Sequence, residues 1–569
     1  MPSPAPVSAV SVSVRSTRRP SPFVWLIVAT LIIRGAVLFP ALHSFNADPD
    51  DYRRLAENWA VYDVFGTGTT PTAFRPPLYP WTLKTFVFPL TRADERPAAP
   101  TVAADDVSPQ APNLSNAPIS LSSTQTPADA DAANPPKSPN PPQPTAERSV
   151  FDRYFALSRN AAFALFHWLL GVATVAVVYR FARRLDFGPK SAAAVGFLVA
   201  VDPILLQQSR LVMTETLAAF FAALLLDATA AVVARRSPRT ALAPKAPASA
   251  SVAFAPAAFA ALGVLFGVST LCRPAFFAFA GLVFLLFAAQ GFAAAKTRKL
   301  DQNVSLAVAA RRAFLGAALF LLGIGAAVAP WSLRNLRAFD RPILTTTHGG
   351  YTRYLANNPE IYRHFESSPP WSLWEPEPFH RRRTVEYAAA LADAGLEPGS
   401  TEAELFQNRW TSERADETIR SAPRTFLYSI GLRVGELWRV LPNAVDAEGR
   451  PLASPDLESP RRRAARFAVA AFYSVEQTAA LLGLAFLAVR ALRRRRETPV
   501  VAAVLNSPWT LGALLVASVQ IPHLIYWTNM RMRAPLEVFV PALAIFGVAA
   551  LVRFLRRPSP DAVPRPFKR

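Results

Sequence analysis

The sequence predicts an all-α polytopic membrane protein of about ten transmembrane helices that carries a small, mostly helical external domain. Three observations predict it. Apolar windows of about 20 residues recur along the chain, each long enough as helix to cross a hydrocarbon core of roughly 30 Å. The 569 residues are 51% hydrophobic, with positive mean hydropathy. Lys/Arg clusters flank the apolar runs on alternating sides. Helices are required because lipid cannot satisfy exposed backbone groups.

In chain order, residues 1–21 read as a cytoplasmic tail. The first apolar window, Pro22–Pro40, follows basic residues but lacks a convincing small-residue cleavage site, so it reads as an uncleaved span. Arg34 inside it reads as an interfacial side chain that snorkels. Residues 22–90 form a unit of this helix and an external loop, whose segment Pro77–Leu90 is apolar but short and Pro-rich, hence interfacial or re-entrant. Residues 91–150, with "NPPKSPNPPQPT" near the end and almost no aromatic residue, are too poor in apolar surface to fold and read as a disordered insert. The windows Ala161–Arg180, Ser191–Ser209, Thr214–Val233, Val252–Leu271, Ala275–Ala294 and Ala313–Ser332 make residues 151–333 a unit of six spans. Residues 334–465 contain apolar positions at helical spacing around a Ser-Ala-Pro break, which predicts the helical external domain. The windows Arg466–Arg490, Pro508–Trp527 and Ala534–Leu555 complete the count within 466–556, and 557–569 is a second cytoplasmic tail.

Charge sets the expected orientation. Lys+Arg number 61 against 40 Asp+Glu, a net charge of +21. The cations cluster beside apolar runs, as in "RSTRRP", "FARRL" and "RALRRRRE", not on one polar face with interleaved aromatics, which excludes a nucleic-acid binder. Placing Arg15, Arg18 and Arg19 in the cytoplasm puts both tails and the later clusters inside a cytoplasmic (inner) membrane, with two larger segments outside. A single cysteine, Cys272, excludes an intramolecular disulfide and a cysteine-based zinc site.

With that orientation, Asp48, Asp50 and Asp51 in "FNADPDDYRRLAENW", Arg75 in "FRPPLYP", Glu215 in "SRLVMTE", Arg273 in "LCRP", Arg334 in "PWSLRN" and Arg533 in "NMRMRAP" all fall at the outer face. Any one alone is most simply an interfacial side chain, but ionisable groups at span ends of a bundle tend to face a polar cavity or one another. Carboxylates and guanidiniums gathered on one face predict a site there.

The segments "DPDDYRRLAENW", "RPPLYP", "SRLVMTETL", "GVSTLCRP", "APWSLRN", "HGGYTRYLANNP", "ADETIRSAPRTFLYSIGLRVGELW" and "RMRAPLEVFVPAL" occur in the order seen in bacterial glycosyltransferases of the GT-C superfamily. The chain resembles, through these, the relatives of protein O-mannosyltransferases and lipid A aminoarabinose transferases, over nearly its whole length except the insert and tails. The resemblance implies a membrane enzyme that takes a sugar from a polyprenyl-phosphate carrier, its lipid-linked donor, and passes it to a glycan, lipid or protein acceptor outside. It places a catalytic Asp in the first external loop four residues before a Tyr, which selects Asp48 relative to Tyr52, with Asp50 and Asp51 as alternatives; Asp50 reads as a solvated neighbour. The family's second acidic position matches Glu215. The long insert is a departure from the family pattern.

The chemistry suits these residue types. An acceptor hydroxyl becomes nucleophilic when a carboxylate takes its proton, typically worth roughly 10²–10⁴ in rate. The phosphate leaving group is already anionic and calls for cations, with arginine offering a charge-assisted fork; Arg75, Arg273, Arg334 and Arg533 are the candidates for the donor phosphate. Tyr52, Tyr79 and His348, the last beside Gly349 and Gly350, complete the candidate set. No metal-ligand spacing identifies a cofactor, which leaves a divalent cation open. The competing reading, a polytopic transporter or a flippase for lipid-linked sugars, predicts internal repeats and matched broken spans, and the sequence displays neither.

Overall fold

The computed structural model describes residues 21–97, 156–236, 255–298, 306–445, 452, 455–493, 504–505 and 507–556. The protein is all-α and polytopic, and its one sheet among the described residues is the two-residue pairing of Gly66–Thr67 with Thr70–Pro71. By length and composition six stretches can cross a membrane: Pro22–Asn46, Arg159–Arg184, Glu215–Ala234, Phe276–Ala293, Phe314–Phe339 and Pro460–Arg493. Met530–Leu536 and Val540–Leu555 form a seventh if their 71° bend is counted as one broken span.

The other windows among the predicted ten hold shorter or interrupted helices, for local reasons. In Ser191–Ser209 the helix Pro189–Val201 stops at Asp202, whose carboxylate accepts the Leu205 N–H at 2.7 Å and starts a new turn, Pro203–Gln208. An Asp cap followed by Pro at the first helical position restarts a helix in a new direction. The window Val252–Leu271 holds the 17-residue helix Pro256–Cys272. In Pro508–Trp527 the helix ends at Gln520, before Pro522.

Apolar side chains cannot drive helix association inside lipid, so small residues that permit close approach decide the contacts. A Cβ on Gly263 of helix Pro256–Cys272 would lie 2.1 Å from the Phe320 carbonyl oxygen of Leu306–Phe339, and one on Gly547 would lie 2.1 Å from the Ala479 oxygen of Pro460–Arg493. These two backbone-to-backbone seams bind distant parts of the sequence. Arg34 departs from its expected snorkelling: it is buried and donates to the Val199 oxygen at 3.0 Å, because the small Gly171 leaves room for it inside the bundle.

The helical domain consists of Gly349–Ala356, Pro359–Ser367, Glu377–Asp393, Thr401–Ser421 and Pro423–Leu437, around a core of Tyr351, Tyr354, Phe379 and Trp410. The preceding helix runs on to Phe339, past the boundary expected at 334. One carboxylate joins the domain to the first loop: Glu404 accepts from Thr72 Oγ1, the Ala73 N–H and Thr347 Oγ1 at 2.5, 2.9 and 2.5 Å. Burial pushes its pKa up against the pull of these donors.

Most of the expected insert, residues 98–150, lies outside the described residues, which resume at 156. Its flanks are described, and they differ from the expectation that begins at Thr91. Thr91 is fully buried and bridges Leu157 in parallel, with Arg92 N–H donating to the Leu157 oxygen and Leu157 N–H to the Leu90 oxygen, both at 2.9 Å. The two ends of the segment are therefore already held together. Replacing residues 98–155 by a short Gly/Ser linker is expected to leave membrane yield and thermal stability unchanged, since loop closure depends only weakly on length. A large loss of folded protein in a detergent stability assay would show that the segment packs on the bundle.

Candidate active site

Five separated stretches of sequence, around Asp50, Arg75, Glu215, Arg273 and Arg531, bring charged groups together at one end of the bundle. The first lies between Phe45 and the helix Tyr52–Tyr62. Asp51 takes the left-handed conformation there (φ 60°), which Asp tolerates better than most residues, and Asp48 accepts the otherwise free Arg54 N–H at 3.0 Å. That turn aims Asp50 inward. Asp50 Oδ1 accepts from Arg75 Nη2 at 3.0 Å, and Arg531 Nη2 lies 3.7 Å from its Oδ2. Arg75 also reaches His348 Nε2 at 3.2 Å and lies over the rings of Phe74 and Tyr52.

Glu215 begins the helix Glu215–Arg236, where a carboxylate suits the positive end of the helix dipole. Its Oε1 accepts from Arg273 Nη2 at 2.9 Å, the residue that closes helix Pro256–Cys272, and Arg531 Nε approaches it at 3.8 Å. Arg531 thus stands between Asp50 and Glu215 and joins the two pairs into one group. Three guanidiniums face these two carboxylates, so the group carries a surplus positive charge that suits an anionic ligand. Glu215 Oε2 and Arg531 Nε are buried without a hydrogen-bond partner, which leaves capacity for a ligand.

The titration of these groups separates their uses. Burial alone would raise Asp50, but Arg75 and Arg531 outweigh it and hold the carboxylate below its ordinary value. Asp48 goes the other way. Burial outweighs the Arg54 and Arg53 amides and raises its pKa to about 6, and its Oδ1 is shielded without a hydrogen-bond partner. Burial, helped by Arg75, holds His348 well below its usual value, so the ring is neutral; Nε2 then accepts from Arg75 and the proton sits on Nδ1. Asp48, Glu215 and Tyr52 are also the charged or polar neighbours that, after burial, raise the Tyr79 hydroxyl. Tyr79 donates to His167 Nε2 at 2.8 Å, while His167 Nδ1 donates to the Ser209 oxygen at 2.8 Å.

Against the sequence expectations, Arg75, Arg273, Glu215, Asp50 and His348 come together, with Tyr52 and Tyr79 beside them. Asp51 stays at the rim, 3.4 Å from Arg54 Nε. Two arginines do not join the group. Arg334 donates to the Thr72 and Phe65 oxygens at 2.8 and 2.7 Å and stacks on Trp331, where it braces the first loop. Arg533 is fully buried, pairs with Glu537 and donates to the Leu437 and Arg439 oxygens. Asp50 is not the solvated neighbour expected; its charge is engaged by guanidiniums from 25 and 481 positions away along the chain. Sequence reasoning missed Arg531, although "NMRMRAP" offers two arginines and only their turn geometry decides which faces the site.

Among solved structures, the archaeal oligosaccharyltransferase AglB from Archaeoglobus fulgidus, in complex with an inhibitory peptide and a dolichol-phosphate, is similar at a TM-score of 0.41 and 12% identity over 94% of this chain and 50% of that one. The apo form of the Archaeoglobus fulgidus oligosaccharyltransferase matches at 0.41 and 13% over 94% and 51%. The chain spans about half the length of these structures. No curated protein matches the chain. Residues 138–322, which include Glu215 and Arg273, match the model of the family described as dolichyl-phosphate-mannose-protein mannosyltransferase, so over that stretch the chain is similar to that family, and the resemblance to GT-C glycosyltransferases carried by the ordered motifs is borne out.

Proposed function

We propose that the chain is a membrane glycosyltransferase that moves a sugar from a polyprenyl-phosphate carrier to an acceptor on the outer side of the cytoplasmic membrane. The observation that carries this reading is the gathering of Arg75, Arg273 and Arg531 around Asp50 and Glu215, with Asp48, whose Oδ1 is shielded and free, two residues before Asp50. The family match over 138–322 supports it.

In this reading the guanidiniums receive the donor phosphate, and Asp50 and Glu215 hold them in place. Asp48 accepts the acceptor's O–H proton as the acceptor oxygen bonds to the anomeric carbon; the sugar–phosphate C–O bond breaks with its electrons going to oxygen, and polyprenyl phosphate departs as an anion. Because the leaving group needs no proton, a second carboxylic acid of the hydrolase type is unnecessary. The test is incubation of membranes containing the protein with a panel of radiolabelled polyprenyl-phosphate sugars. Label transferred to a non-carrier product supports the reading, whereas movement of intact donor across vesicles without transfer would indicate the flippase.

The outer placement has its own test. Ser367 is exposed in the helical domain, whose His348 meets Arg75, and Lys190 is exposed beyond the end of helix Arg159–Arg184 opposite to Arg159, which pairs with Glu57 of the first loop. In a Cys272→Ser background, Ser367→Cys is expected to react with an impermeant thiol reagent on intact cells and Lys190→Cys only after lysis. The reverse pattern would put the charged group in the cytoplasm.

A further inference from the structure

A second group of charges lies inside the bundle, around the Arg533–Glu537 pair and apart from the pairs that Arg75, Arg273 and Arg531 make. Asp202 at the break after Pro189–Val201, Glu476 in the middle of helix Pro460–Arg493 and Glu537 just after the turn Met530–Leu536 bring one carboxylate oxygen each to within 4.8 Å of one another. All three are at least 95% buried. Glu476 is the telling member: both of its oxygens lie shielded from solvent with no hydrogen-bond partner, and so does Oε2 of Glu537.

Buried carboxylates without partners are expensive, several kcal/mol for each ion, and need compensation. The protein supplies little. Arg533 pairs with Glu537, and the Tyr473 hydroxyl donates to Asp202 Oδ2 at 3.1 Å. Arg34, the next guanidinium, donates to the Val199 oxygen and not to a carboxylate. Arg533 is the one guanidinium paired directly with the three carboxylates and Arg34 acts on Asp202 only through space, so positive charge is short where Glu476 and Glu537 keep unpartnered oxygens.

We propose that Asp202, Glu476 and Glu537 form a binding site for one divalent, oxygen-preferring cation. An all-carboxylate set with no His or Cys selects hard ions of the Mg²⁺, Mn²⁺ and Ca²⁺ class over zinc or copper. An oxygen separation of up to 4.8 Å is about twice a Ca²⁺–oxygen distance of roughly 2.4 Å, so the larger ions of this class need least adjustment. The ion would tie together three segments that are remote in sequence. One of them is the turn that presents Arg531, six residues before Glu537. Its role is to position that turn, and the site stands whether or not the transferase reading does.

The test uses the full chain purified in detergent, stripped with EDTA and titrated with Mn²⁺ followed by electron paramagnetic resonance. The wild type is expected to bind about one Mn²⁺ per chain, and Ca²⁺ to compete for it. Glu476→Gln, nearly isosteric at a side chain that makes no hydrogen bond, is expected to weaken binding by roughly tenfold or more and to remove the thermal stabilisation that Mn²⁺ gives the wild type. Asp50→Asn, in the other charged group, is expected to retain binding. No stoichiometric Mn²⁺ on the wild type overturns the proposal whatever the variants do. Loss of binding in Asp50→Asn with retention in folded Glu476→Gln overturns it too, by placing the ion at the outer group.

Discussion

Asp48→Asn is expected to lower sugar transfer by roughly 10²–10⁴-fold while donor binding stays nearly constant, because the amide keeps the shape and the Arg54 contact but has no basic oxygen. The pH profile gives an independent reading of the same assignment. A base works only when ionised, and burial raises Asp48 to about 6, so transfer should climb about tenfold per pH unit below that value and level off above it. Neither neighbour supplies a competing limb. Asp50 is held below its ordinary value and stays ionised, while His348 is held well below its own and stays neutral. Asp48→Asn should remove the limb together with the activity. Near-normal turnover, or an unchanged limb near pH 6 in this variant, would move the base elsewhere, with Asp50 and Asp51 next to be tried.

Arg75→Ala and Arg531→Ala are expected to act on the donor first. A hydrogen bond to a charged group is worth about 1.5–3 kcal/mol, which corresponds to roughly 10- to 100-fold in the donor concentration needed for half-saturation. Folding should survive either single change, since Asp50 keeps the other guanidinium within reach. Arg334→Ala and Arg533→Ala should do the opposite. Their guanidiniums satisfy backbone carbonyls, and Arg533 also pairs with a buried carboxylate, so their loss should show as reduced folded yield with unaltered donor affinity in what remains. A donor-binding defect in Arg533→Ala without instability would restore it to the phosphate-binding set.

These contrasts mark how far the sequence can be read. Its spans are legible because an apolar window registers without knowledge of its partners. The charged residues at the span ends are legible as a group because the same windows place them at one level. Choosing among them is a matter of phase. Arg531 and Arg533 are two residues apart on a 3-10 turn that Pro535 helps to shape, and which one meets Asp50 depends on the bend between that turn and the following helix. Asp50 looked solvated because the partners that bury it lie beyond any local window. Glu476 was the reverse case: a carboxylate inside an apolar window is a visible signal, but its meaning needed Asp202 and Glu537 beside it.

Glu404 has a wider bearing than its three hydrogen bonds suggest. Its Thr72 and Ala73 partners lie three and two residues before Arg75, and its Thr347 partner immediately precedes His348. The same domain grips the chain ahead of Arg531, through Arg433 on the Leu524 oxygen, Asn357 on the Ile525 oxygen and the Thr352 oxygen on the Trp527 amide. Two of the three site arginines therefore hang from the helical domain as well as from the bundle. Their separation acts as a gauge of where that domain sits, and in the proposed reading a tilt of the domain would change the spacing offered to a donor phosphate without touching it.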